Sequence, residues 1–155
     1  MKAKHHLWSS AAAGAALYWI TGSSTALTGA LVGGFLIDAD HVVDQLWSIR
    51  KGAPLLRKRA AEESSSGFVE RYFLRRKLLR LPLIFHSYEL MCVLAAATLL
   101  LRTPFLIGLL SGYVLHLSLD LARHYHEFQS PFFYLITYRL SQGFRRDRLI
   151  KPEYL

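Results

Sequence analysis

The stretch Leu36-Ile37-Asp38-Ala39-Asp40-His41-Val42-Val43-Asp44 constrains this chain more than any other. It closes a run apolar enough to enter a lipid bilayer, yet it carries three carboxylates and an imidazole within seven residues. One Asp at the centre of a membrane span costs roughly 2.5–3.5 kcal/mol on insertion scales. A chain that keeps such a cluster has to neutralise it with a metal, with protons or with basic partners.

The remainder of the chain fits a membrane setting. Apolar residues make up 52% of the 155 residues, yet there are 19 Lys and Arg and a net charge of +8. The two classes are segregated along the chain. Leu7 to Ile20 is a helix rich in Ala and Gly; Lys2 and Lys4 ahead of it have the layout of a signal peptide, but His5, His6 and the later apolar spans favour a retained helix. A second helix starts at Thr25 and runs to about Trp47. Its Gly29 and Gly33 form a G-x-x-x-G pair that predicts close contact with another helix of the chain. Pro82 reads as the start of a third helix, running from Leu81 to Leu101, in which Cys92 reads as a small buried hydrophobe. Phe105 to His126 forms the fourth. The expected fold is all-α: one domain over 1–155, a polytopic membrane bundle of about four spanning helices (6–20, 25–47, 81–101 and 105–126) with interfacial basic and aromatic helices.

Charge sets the expected topology. The loop 48–80 holds ten Lys or Arg residues, five more lie between Arg139 and Lys151, and the two turns on the other side carry only Arg102. The positive-inside bias then places both termini and the loop in the cytoplasm, as in a bacterial inner-membrane protein. The basic-aromatic stretch around Arg75, Arg76, Lys77 and Arg80 suits an anionic lipid surface better than nucleic acid, so no nucleic-acid partner is expected. Phe132 to Leu140 reads as a short interfacial segment, and the basic tail (139–155) as surface.

This topology brings polar residues from four helices to one depth. His5 and His6 open helix one; Asp38, Asp40, His41 and Asp44 close helix two. His86 and Glu89 lie near the start of helix three, on one face at i, i+3. His116, Asp120 and His124 form an i, i+4, i+8 stripe on helix four. Mixed imidazole and carboxylate donors suit Zn, Mn or Fe better than Ca, and the surplus of carboxylates suggests two or three ions.

These residues resemble the YdjM-like family of membrane-bound metal-dependent hydrolases. The resemblance rests on His6, on Gly33-Gly34-Phe35-Leu36-Ile37-Asp38-Ala39-Asp40-His41, on His86-Ser87, and on Gly112-Tyr113-Val114-Leu115-His116-Leu117-Ser118-Leu119-Asp120. The chain departs from the family pattern at Ile37, where a Pro is usual, and at Leu81 and Pro82, where a His-Arg pair is usual. The family is distantly like zinc-dependent phospholipase C and single-strand nucleases. The resemblance implies hydrolysis of a phosphoester, a phospholipid or a lipid-linked phosphate or diphosphate, at the cytoplasmic face. His6, Asp38, Asp40, His86, His116 and Asp120 would be ligands of divalent transition metals, with Zn preferred. Glu89 and Asp44 are candidates for the general base or a further ligand. His5, His41 and His124 are second-tier ligands or groups that orient them. Arg75, Arg76, Lys77, Arg80 and Arg123 are candidates for holding an anionic headgroup. Two other readings of the same residues are a membrane di-iron oxidase or hydroxylase and a non-enzymatic metal or proton carrier.

Overall fold

Small residues decide how the helices meet. The computed structural model describes residues 3–42 and 81–154; Asp44, Arg75, Arg76, Lys77 and Arg80 lie outside the described residues. The described residues are mostly helical, with one isolated antiparallel bridge, Phe128 to Ile150, and no strand among them. α1 spans Ala3–Thr21 and α2 Ser24–Phe35, followed by a 3-10 turn at Leu36–Asp38. α3 spans Tyr88–Leu101 and α4 Pro104–His124. The short helices α5 (Ile136–Ser141) and α6 (Arg146–Leu149) come last. The all-α expectation holds.

The described residues belong to two compact units, one within Met1–Ala39 and Ile84–His126, the other within Asp40–Leu83 and Glu127–Leu155. The first contains α1 to α4. The turn between α1 and α2 uses Gly22 at φ 67, a left-handed conformation that glycine adopts without a Cβ penalty. The turn between α3 and α4 is capped by Thr103, which accepts from Leu106 N, with Pro104 as the first helical residue.

α2 and α4 run in the same direction along a seam of Gly and Ala. A Cβ added to Gly29 would overlap the Phe105 carbonyl, and one added to Gly33 the Leu109 carbonyl. In return, a Cβ on Gly108 would strike the Ala26 carbonyl, and one on Gly112 the Ala30 carbonyl. The partner expected for the Gly29–Gly33 pair is thus α4, with its own Gly108–Gly112 pair. Because α1 runs antiparallel to α2, and α3 antiparallel to α4, both tight turns lie at one end of this unit. The starts of α1 and α3 and the ends of α2 and α4 lie at the other.

The distribution of apolar side chains in this unit is inverted relative to a water-soluble bundle. The buried positions of α1 after Lys4 are His6, Ser10 and Gly14, an i, i+4, i+8 stripe. Those of α2 are Ala26, Gly29, Ala30, Gly33 and Gly34, and α3 buries none. Large apolar residues face outward instead: Trp8, Trp19, Ile20, Val93, Leu99, Leu100 and Leu101 are each more than 60% exposed. Among the described residues one helix, Pro104–Glu127, is long and apolar enough to cross a membrane; α3 is apolar but shorter.

Several boundaries differ from the sequence reading. Helix two is interrupted at Leu36–Asp38, and residues 39–42 are helical again. Helix three begins at Tyr88, not Leu81. Ser87 is its N-cap, accepting from Leu90 N, while Leu81 N bonds to Phe144 O and Leu83 sits at φ 43, so the backbone before Ser87 is committed elsewhere. Cys92 is exposed rather than buried, as it must be on a helix that buries nothing. The tail is not all surface: Leu149 and Ile150 are core residues of the second unit. There the chain returns on itself through Gln129 N to Leu149 O and Lys151 N to Glu127 O. Arg139, fully buried, donates to Leu83 O at 2.9 Å.

Candidate metal centre

The end of the first unit away from the tight turns collects five polar side chains from four segments. His6 comes from the first turns of α1, Asp38 from the 3-10 turn after α2, and His86 from the loop before α3. His116 and Asp120 are one turn apart on α4. His6, His86 and His116 are each no more than 2% exposed and Asp120 is 6% exposed. Buried polar groups at this density need partners, and these residues are each other's partners.

The imidazoles define the geometry. His116 donates from Nδ1 to the Gly34 carbonyl at 2.8 Å. That bond fixes the tautomer, leaving Nε2 as a lone-pair donor aimed into the cluster. Its Nε2 lies 3.0 Å from His86 Nε2. Asp38 Oδ1 is 3.6 Å from His116 Nε2 and 3.7 Å from His86 Nε2. Asp120 Oδ2 is 3.4 Å and 3.5 Å from the same two nitrogens. The other Asp120 oxygen, Oδ1, faces His6 Nε2 at 3.2 Å. His6 also stacks on the His116 ring, with centroids 4.1 Å apart. Donor atoms of His6, Asp38, His116 and Asp120 all lie within 4.8 Å of one another. This buried His/Asp group could hold a metal ion. The buried His6 Nδ1 has no hydrogen-bond partner among the described residues.

Local sequence explains how the side chains arrive. His6 faces inward because its stripe continues through Ser10 and Gly14; Ser10 donates to the His6 carbonyl at 2.6 Å and packs where a Cβ on Gly34 would lie. The close approach of α2 and α4 brings the Gly34 carbonyl within reach of His116. His86 is held by its neighbours: the Tyr113 hydroxyl lies 2.5 Å from Phe85 O and 2.8 Å from Ser87 O, and accepts from Ser87 N at 3.2 Å.

The structure therefore brings together His6, Asp38, His86, His116 and Asp120. His86 stands in a loop, so it does not share a helix face with Glu89, which is half-buried in the first turn of α3. His124 is half-buried one turn beyond Asp120, outside the group of clustered donors. His5 and Arg123 are exposed. Asp40 and His41 belong to the second unit, Asp40 buried and His41 half-buried. Ser10, Gly34 and Tyr113 were not singled out as supports by the sequence reading, although Ser10 at i+4 from His6 and Tyr113 at i−3 from His116 share faces with the ligand candidates.

Comparison of the chain with known protein families, characterised proteins and solved structures finds no match.

Proposed function

We infer that this chain is a membrane-embedded, metal-dependent hydrolase of phosphoesters. The observation that carries the reading is the cluster's set of distances. Four donors around a tetrahedral zinc at ~2.0–2.1 Å stand ~3.3–3.4 Å apart. The five contacts among His86 Nε2, His116 Nε2, Asp38 Oδ1 and Asp120 Oδ2 run from 3.0 to 3.7 Å. Two neutral imidazoles and two carboxylates also have the softness and charge that suit zinc, with Mn or Fe as alternatives.

His86, His116, Asp38 and Asp120 would hold one cation. Asp120 turns its second oxygen toward His6 at 3.2 Å, so His6 would join the ligands of that cation or of a second one. Such ions would supply Lewis-acid stabilisation of charge developing on phosphate oxygens, and a nucleophile drawn from water near neutral pH. The protein's own contribution is placement. The Gly34 carbonyl sets the His116 tautomer. Asp38, whose side chain is 25% exposed, marks the open side of the cluster. Glu89, in the first turn of α3, is a candidate general base or further ligand.

The membrane part of the reading rests on the inverted bundle. Gly, Ala, Ser and the polar cluster fill much of the interior beside Ile37, Tyr113 and Leu117, while Trp8, Trp19, Ile20, Val93, Leu99, Leu100 and Leu101 face out, which water disfavours and lipid does not. α1 to α4 would form the spanning bundle of a bacterial inner-membrane protein, with the polar end and both termini toward the cytoplasm. A substrate fitted to that position keeps its tails in lipid and presents a phosphate, as a phospholipid or a lipid-linked phosphate does. The basic residues of the 48–80 loop and Arg123 would draw the anionic headgroup in.

The test is phosphate release from anionic lipids and isoprenoid phosphates by the purified protein. Activity is expected that chelation removes and zinc restores, and that His116→Ala abolishes. Activity that survives Asp38→Asn combined with His116→Ala would detach this cluster from the chemistry.

A further inference from the structure

We propose that Tyr113 is a positioning residue that holds His86 in ligating geometry through its hydroxyl. The proposal rests on the metal reading above and adds to it a group that touches neither metal nor substrate. His86 stands in a loop, and a loop residue has no helix ladder to fix its side chain. The helix that follows is half-buried at most, and its side-chain bond to α4, from Thr98 to the Leu106 carbonyl, lies far from His86. A buried phenol ties its start to α4. Tyr113 is 2% exposed, on the inward face of α4, three residues before His116. Its oxygen contacts the chain on both sides of His86: the Phe85 carbonyl before it, and the Ser87 carbonyl and amide after it.

The bonding capacity of the hydroxyl fits this role. It has one proton to donate and two lone pairs to accept with. The proton goes to the Phe85 or Ser87 carbonyl, and a lone pair takes the Ser87 N–H. The same Ser87 caps α3 and donates from Oγ to the Ile84 carbonyl at 3.1 Å, so the loop is tied internally and then tied to α4 at one atom. The result is that His86 and His116 reach the cluster from fixed points on the same stretch of α4. Removing the hydroxyl leaves the ring's packing in place and cuts the tie between α4 and the residues flanking His86.

Cobalt(II) binding by the full-length protein in detergent provides the test, read by chelator competition and by the visible d–d bands. Tyr113→Phe is expected to weaken Co(II) binding by ~10–100-fold, the range seen when an outer support of a metal ligand is lost, and to change the bands as one imidazole leaves. The same substitution made on a His86→Ala background is expected to add no further loss, because its effect runs through His86. Replacing Tyr113 with p-aminophenylalanine, which restores a donor at the same place, is expected to recover affinity. It is the second arm should the phenylalanine variant fold poorly. If the wild type binds Co(II) and Tyr113→Phe matches it in affinity and spectrum, the Tyr113 assignment falls and the metal reading stands. A full additional loss on the His86→Ala background likewise overturns it. A wild type that holds no Co(II) overturns the metal reading, and the Tyr113 assignment with it.

Discussion

His86 and His116 meet Nε2 to Nε2 at 3.0 Å, although one stands in a loop and the other in mid-helix. With the His116 proton committed to the Gly34 carbonyl through Nδ1, the cluster receives a bare nitrogen from α4. The first prediction concerns that proton. Nitrogen NMR of the metal-free protein at neutral pH should show His116 as the Nδ1–H tautomer. The Nε2–H form at this residue would remove the basis for treating it as a preset ligand.

The purified protein should carry at least one equivalent of a transition metal. Asp120→Ala should lower the affinity at least ~10–100-fold, since it would remove a proposed direct ligand where loss of an outer support alone costs that much. His5→Ala, at an exposed position on the same helix as His6, should leave metal content unchanged. Metal analysis after dialysis against a weak chelator checks both.

The glycine seam should be intolerant of side chains. Gly33→Leu or Gly112→Leu forces side-chain atoms into the facing backbone and should destabilise by more than the ~1–3 kcal/mol usual for overpacking. Gly22→Ala should cost only the conformational penalty of a left-handed residue, ~1–2 kcal/mol, because nothing lies within 4 Å of the added Cβ. Thermal unfolding in one detergent compares the three.

Cys92 reports on what surrounds α3. The thiol is exposed and stands among Val93, Leu99 and Leu100 on a helix that buries nothing. In native membranes it should resist a charged maleimide, and it should react after unfolding in SDS. Ready labelling in intact vesicles permeabilised to the reagent would mean that water, not lipid, covers this helix.

The surface ion pair gives a pH prediction. Hydrogen bonding from Arg145, at 2.7 and 3.1 Å, holds the Asp147 carboxyl below the usual carboxylate range. Its folded pKa is lowered, so any stabilisation is present above the unfolded value of ~3.9 and is lost as pH falls through the folded value. Asp147→Asn should therefore narrow its stability gap to wild type only under acid conditions, and because both side chains are about half exposed the gap at neutral pH should be small. Denaturant melts at several pH values measure it.

The convergence of His6, Asp38, His86, His116 and Asp120 was legible because i, i+4 spacing places His116 and Asp120 together and the placement of Lys and Arg in the long loop and near the termini orders the helix ends. The local setting of His86 was not legible. Pro82 carries the signal of a first helical residue, but Ser87 caps the helix and the intervening backbone bonds to residues far along the chain, as Leu81 does to Phe144. No periodicity encodes a tyrosine whose acceptors are carbonyls 26 and 28 residues away. Leu149 and Ile150 were hidden for a simpler reason: an apolar pair flanked by Arg148 and Lys151 is too short to show a pattern.

The seam between α2 and α4 has a consequence for how this centre tolerates change. Asp38 follows one of those helices and His116 and Asp120 ride on the other, and interlocked glycines allow them no sliding. A slip of one residue along the axis would move the donors ~1.5 Å apart, as much as separates a ligating distance from none. The dimensions of the cluster are thus gauged well away from it, by residues with no side chain to take part in any reaction.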